Sequence, residues 1–263
     1  MTDAPLQMSI DGSIARLRFN RPDAGNAIGQ SMADALLDAA IRCDSDPAIR
    51  CVVLTGAGRF FCAGGDIGSF AGASADASAF LSKLAGTLHM AQSRFLRMAK
   101  PLLVLVNGPA AGAGMSLAIA GDIVIAAESA HFTAAYGGVG LTPDGGMSWL
   151  LPRHVGLRRA QEIILTNRRV AAAAAAELGL VTRIVPDEDL EAEGEVAAQA
   201  LVNASAGSLA GARALLLESG SSSLEAQLER ETRTVSAAGG TADFREGVAA
   251  FLARRKPAFT GIR

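Results

Sequence analysis

Apolar positions along this chain follow two periods, and the change from one to the other organises its reading. Over residues 9–19 apolar and polar side chains alternate, with Ile14, Leu17 and Phe19 set against Arg16 and Arg18, as in a half-buried strand. Asn20-Arg21-Pro22-Asp23 ends it. Met32, Leu36, Leu37 and Ile41 then recur at helical spacing and predict a helix over about 30–43. Residues 51–55 (CVVLT) form a continuous apolar run, the mark of a strand buried on both faces. Gly56-Ala57-Gly58 stops that run, and a second small-residue cluster, Ala63-Gly64-Gly65-Asp66, follows closely. The pattern next predicts a helix over 76–99, a strand over 102–106, a helix over 115–120, a strand over 123–126 and a short extended piece over 131–134. Two helical stretches follow Trp149, at 157–165 and 171–178, and a strand over 181–184 comes before Val185-Pro186. The alanine run over 171–176 has high helix propensity and needs no further role. From about Leu190 strand signals cease and the chain reads as helical to its end.

Strand-turn-helix units through the first two-thirds, then helices alone, predict an α/β core over 1–195 with a C-terminal helical region over 196–263. Half of the 263 residues are hydrophobic, enough for a large core. A formal net charge of -2 gives no electrostatic reason to expect nucleic acid or an anionic membrane as partner. Three cysteines (Cys43, Cys51 and Cys62) make neither a disulfide framework nor a zinc site, so the expected compartment is a reducing cytoplasm and the expected metal is none. The first seventeen residues lack a basic segment followed by a long apolar one, so they do not read as a signal peptide. The longest apolar stretch, 101–127, is broken by Asn107, Pro109 and Asp122 and reads as buried elements rather than a membrane span.

Candidate chemistry concentrates between Val104 and Leu150. A strand turns on Asn107-Gly108-Pro109 and passes through Gly112-Ala113-Gly114 directly into a helical stretch. Small residues ahead of a helix bring main-chain N–H groups close to a ligand, where the helix end adds partial positive charge. Gly64-Gly65-Asp66 forms a comparable loop after another buried strand, so two loops can each direct one N–H at a single oxygen. Asp144 lies beyond them in a Pro-Asp-Gly-Gly bend, where an ordinary turn-former is the competing role. Paired N–H donors facing one carboxylate are what enolate chemistry requires.

With these residues in place the chain resembles the enoyl-CoA hydratase/isomerase, or crotonase, superfamily. The resemblance rests on Asn20-Arg21-Pro22 through Asn26-Ala27-Ile28, Thr55-Gly56 through Asp66-Ile67, and Val106-Asn107-Gly108 through Asp122. It continues in Gly140-Leu141-Thr142-Pro143-Asp144-Gly145-Gly146 and in Arg254-Arg255-Lys256-Pro257-Ala258-Phe259. It implies a spiral of ββα units, C-terminal helices that build a trimer or a dimer of trimers, and an acyl-CoA thioester as substrate with no separate cofactor. It further implies an oxyanion hole made by the N–H groups of Gly65 and Ala113. Alanine stands where the family more often has glycine, and Gly112 is the alternative donor. Ala24, Asn26, Ala63, Asp66 and Ile67 are implied near the substrate, with Asp66 also a loop cap. Lys256 is implied near the CoA phosphates.

The chain departs from the hydratases of that family at their two glutamates, in whose places stand Ser116 and Tyr136. The resemblance therefore favours an isomerase with Asp144 as its single acid/base, and Tyr136 lining the acyl pocket. Residues 140–153 look most like the phenylacetate-pathway ring-epoxide isomerase branch, which adds an aromatic ring-epoxide thioester to the expected substrates. The alternatives are a hydratase using Asp144 and water, or a CoA-binding member without catalysis. A serine hydrolase is suggested only by Gly114-Met115-Ser116-Leu117-Ala118 and needs one of His89, His131 or His154 as base. Tyr136 and Trp149, each the only residue of its type, otherwise read as packing residues, and Asp122 as a structural hydrogen-bond acceptor.

Overall fold

The alternation expected to be one strand over 9–19 belongs to a hairpin. In the computed structural model, which describes residues 4–73 and 76–260, β1 (Leu6–Asp11) turns back through Gly12 and Ser13 into β2 (Ile14–Phe19). Alternation on both sides of a two-residue turn looks continuous in sequence, yet Asp11-Gly12 is itself a hairpin signal. Residues 1–3 of the N-terminal segment and 261–263 of the C-terminal region lie outside the described residues, as do 74–75.

The chain continues through α1 (Gln30–Ser45), β3 (Cys51–Gly56), α2 (Ile67–Ala73), α3 (Ala77–Arg97), β4 (Leu102–Val106) and β5 (Ala110–Ala111). Next come α4 (Ala113–Ala118), β6 (Ile123–Ala127), β7 (His131–Thr133), α5 (Met147–Val155) and α6 (Leu157–Leu165). After them lie β8 (Val170–Ala171), α7 (Ala172–Glu177), β9 (Arg183–Val185) and α8 (Leu190–Asn203). The last three helices are α9 (Ala206–Ser219), α10 (Leu224–Gly239) and α11 (Ala242–Leu252). Sequence reading missed α2 and α5. The first is rich in Gly and Ser, and the second follows two glycines and contains Pro152.

One sheet runs β1-β2-β3-β4-β6-β9, parallel throughout except for the first pair. Its period-two pattern divides the buried side chains between two faces. Leu17, Val52, Leu54, Val104 and Val124 face one core, where α1 and α3 contribute Leu36, Leu88 and Phe95. Ile14, Val53, Leu103 and Ile125 face the other, covered by Leu190, Ala197 and Ala198 of α8. The expected division at 195 therefore falls inside a helix that seals the sheet. A smaller sheet, β5-β7-β8, is extended by isolated bridges from Cys62 to Ala110 and from Ile28 to Gly65. This second layer brings the two small-residue loops side by side.

Asp122 takes the structural role expected of it. Its Oδ2 accepts from Leu102 N and from Arg213 Nε, both at 2.7 Å. Arg213 also donates to the carbonyls of Phe95 and Met98, so α9 is fastened to the end of α3. No single helix among the described residues is long and apolar enough to cross a membrane.

Candidate active site

The first loop is shaped by pairing that leaves one amide over. Ile28 N donates to Gly64 O at 2.8 Å and Asp66 N to Ile28 O at 3.0 Å. Successive amides of an extended segment point to opposite sides, so the Gly65 N–H faces away from this partner. It donates to no backbone acceptor among the described residues. In the second loop Ala111 N donates to Cys62 O at 2.9 Å and Gly112 N to Thr133 O at 3.0 Å, so the Gly112 amide is already engaged. Ala113 opens α4, where first-turn amides have no intrahelical partner, and its N–H is likewise unpaired among the described residues. The loops approach closely because residue 114 has no side chain. A Cβ there would lie 2.3 Å from Cys62 O.

Asn26 locks this arrangement from beneath. Fully buried at a φ of +57°, it accepts from Arg21 N at 2.9 Å and donates to Phe60 O at 2.7 Å and Ala57 O at 2.9 Å. Asn tolerates this left-handed conformation better than alanine does. Asn26→Ala is expected to lower stability by about 3 kcal/mol, from orphaned buried polar groups plus backbone strain. Chemical denaturation checks this, and a loss under about 1 kcal/mol would contradict it.

A cavity of about 420 Å³ opens against both loops. Its wall includes Gly65, Ala113, Tyr136 and Asp144, together with an apolar side formed by Phe70, Leu81, Leu84 and Leu88. Asp144 is the only carboxylate among the lining residues. Its Oδ1 accepts from the Tyr136 hydroxyl at 2.6 Å. Ser116 Oγ lies 3.1 Å from the Tyr136 hydroxyl and 2.9 Å from the Asp144 carbonyl oxygen. Burial, and then the charge of Asp144, push the Tyr136 phenol above its ordinary range, so it keeps its proton and donates.

The site residues expected from the sequence divide into two groups. Gly65, Ala113, Gly112, Ala63, Ile67, Tyr136 and Asp144 line the cavity. Ala24, Asn26, Asp66 and Lys256 do not. Ala24 ends an exposed helical turn, and the Asn26 side chain is consumed by the main chain. Asp66 caps α2 through Ser69 N and pairs with Arg21 at 2.9 Å. Burial opposes the ionised form of Asp66, but the Arg21 and Ser69 hydrogen bonds outweigh it and hold the carboxyl below its usual range. Lys256 is exposed beyond α11, in a segment held by Arg255 and Ala258 N on Glu246.

His89, which the sequence offered only as a base for Ser116, and Gln92, which it did not single out, support the bend that carries Asp144. On α3, three residues apart, His89 Nε2 accepts from Gly145 N at 2.9 Å and Gln92 donates to Gly145 O at 3.2 Å. Both main-chain groups of the residue after Asp144 are therefore held by one helix face. Their spacing shows that they share a face, but it does not point to residue 145. No histidine among the described residues hydrogen-bonds Ser116, so a serine nucleophile has no paired base here.

Two unpaired amides and one carboxylate lining a single cavity can stabilise an enolate oxygen while a proton moves. Among the described residues no group of three or more His, Cys, Asp or Glu is placed to hold a metal ion. Residues 9–262 match the model of the enoyl-CoA hydratase/isomerase family. The chain is 37% identical over 260 residues to the 1,2-epoxyphenylacetyl-CoA isomerase of Escherichia coli, covering 96% of this chain and 97% of that one. It is 38% identical to a probable enoyl-CoA hydratase of Rhodobacter capsulatus, covering 97% and 98%. The crystal structure of an enoyl-CoA hydratase from Polaromonas sp. JS666 superposes with a TM-score of 0.92 at 33% identity, covering 97% and 99%. The chain, with its crotonase fold, belongs to the enoyl-CoA hydratase/isomerase family.

Proposed function

We propose that this protein is an acyl-CoA isomerase that moves a proton along a thioester-conjugated system with Asp144 as its one acid/base. The single observation that carries this reading is the cavity lining, in which Asp144, the one carboxylate, shares a cavity with Gly65 and Ala113, whose amides have no backbone partner among the described residues. With a 3-enoyl-CoA, the Asp144 carboxylate takes a proton from the α-carbon and the C–H electron pair passes to the thioester oxygen. The two amides hold that dienolate oxygen, and each such donor is worth roughly 2.7–4 kcal/mol of barrier. Asp144 then returns its proton to the γ-carbon as the electron pair moves back, leaving the conjugated 2-enoyl-CoA. No cofactor enters the balance.

Addition of water across a double bond calls for a group to place the water and a group to deliver its proton. Ser116 and Tyr136 stand where the family's hydratases have the two glutamates that position and activate water, and the Tyr136 phenol already donates to Asp144, which supports isomerisation over hydration. The apolar wall suits an alkyl chain or a ring, and the similarity to the epoxyphenylacetyl-CoA isomerase supports a ring epoxide thioester as a second substrate class. A homotrimer, alone or paired, is part of the proposal. Its support is the exposed row Leu224, Leu228, Val235, Phe244 and Phe251 on α10 and α11.

Separate incubations with trans-3-hexenoyl-CoA and a 2-enoyl-CoA test the reading. The first is expected to gain conjugated enoyl absorbance, and the second to keep it. Fast loss of absorbance from the second, with none gained by the first, would mean a hydratase.

A further inference from the structure

The two carboxylate oxygens of Asp144 sit in unlike surroundings. Oδ1 accepts the Tyr136 hydroxyl at 2.6 Å, a length typical of a charge-assisted O–H···O⁻ bond. No group among the described residues donates to Oδ2. Tyr136 is itself constrained, being buried and backed by the fully buried Ser116. The Ser116 hydroxyl lies 2.9 Å from the Asp144 carbonyl oxygen, 3.1 Å from the phenol oxygen and 3.4 Å from Gly112 O. Gln92 and His89 fix the main chain of the next residue. The bend and one oxygen of its carboxylate are therefore anchored, and the other oxygen is left open.

We infer that Tyr136 is a positioning residue for the proton transfer: it fixes Oδ1 and leaves Oδ2 as the single oxygen that both takes and returns the substrate proton. This rests on the reading of Asp144 as the acid/base. A free aspartate carboxyl turns readily, because its terminal torsion is broad. It would then present either oxygen and carry a captured proton away from the substrate. With Oδ1 fixed, the new O–H bond on Oδ2 stays beside the dienolate. The α-carbon's C–H bond breaks as Oδ2–H forms, and Oδ2–H breaks as the γ-carbon's C–H bond forms. The Tyr136 proton does not move, and no other reactant is needed. Without the phenol, the captured proton has time to exchange with water before delivery.

The test uses the full chain with trans-3-hexenoyl-CoA deuterated at the α-carbon, reading kcat, KM and deuterium at the γ-carbon of the product. Tyr136→Phe is expected to lower kcat about tenfold or more with KM changed less than about twofold, as a positioning defect does. Deuterium at the γ-carbon should fall by at least about half as solvent protons replace it. Because Tyr136 is the only tyrosine, a tyrosine label at the phenolic carbon gives one resonance that reports its hydrogen bond. Asp144→Asn is expected to move that resonance, and no movement overturns the pairing. Wild-type kcat and label in Tyr136→Phe overturn the proposal, as does a rise in KM at unchanged kcat. If Tyr136→Phe does not fold, Ser116→Ala keeps the ring and should show the same two changes at smaller size. Wild-type values there overturn the proposal. An unreactive wild type, or an active Asp144→Asn, instead sinks the assignment of Asp144 and the inference with it.

Discussion

Replacing Asp144 by asparagine is expected to lower kcat for 3-enoyl-CoA isomerisation by about 10³-fold or more while KM changes less than about threefold. The amide keeps the size of the carboxyl, and its oxygen can still accept from Tyr136, so the bend and the cavity wall stay in place. What is lost is the capacity to accept and hold a proton. Since no second carboxylate lines the cavity among the described residues, no neighbouring group can take over. Steady-state kinetics check this, together with a thermal unfolding curve close to that of the parent. Activity above about a tenth of wild type would show that Asp144 is not the base.

Ala113→Pro is expected to cost about 10²–10³-fold in kcat while leaving α4 folded. Proline has no N–H, so the substitution deletes the second proposed oxyanion donor and nothing else on the main chain. Ala113 is the first residue of α4, the helical position that proline fits best. The preceding residue permits it too. Gly112 lies at φ 51°, ψ -126°, the mirror image of the extended conformation favoured before proline and open to glycine. Its own amide is bonded to Thr133 O, so it cannot replace the lost donor. Ala113→Gly keeps the N–H and should retain near-parental kcat. If Ala113→Gly falls as far as Ala113→Pro, the loop's shape rather than its amide governs the rate.

Much of the frame was legible because its physics is local. The continuous apolar runs over 51–55 and 102–106 are central strands buried on both faces, as their composition requires. The hairpin was legible in principle through Asp11-Gly12, but it was hidden by alternation that runs on across the turn. Strands β5 and β8 are two residues long, too short to show any period. The two small-residue loops, and the bend that carries Asp144, stood out in the sequence because each breaks a periodic segment. Their meeting was expected through the resemblance rather than from local pattern, since it depends on bridges between Cys62 and Ala110 and between Ile28 and Gly65. The bonds from Tyr136 to Asp144 and from Gly145 to His89 join residues 8 and 56 positions apart, and nothing local announces them. Asn26 shows the opposite failure. Its motif marked it as belonging to the site region, but its buried amide is fully occupied in holding the main chain.

The central claim is that the amides of Gly65 and Ala113 grip one thioester oxygen while Asp144 reaches the carbon beside it. A crystal structure with a bound, non-reactive acyl-CoA analogue tests this most directly. The expected result places the thioester oxygen about 2.7–3.1 Å from both amide nitrogens, with Asp144 Oδ2 facing the α-carbon. A thioester oxygen bound elsewhere, or an Asp144 side chain turned away from the acyl group, would contradict it.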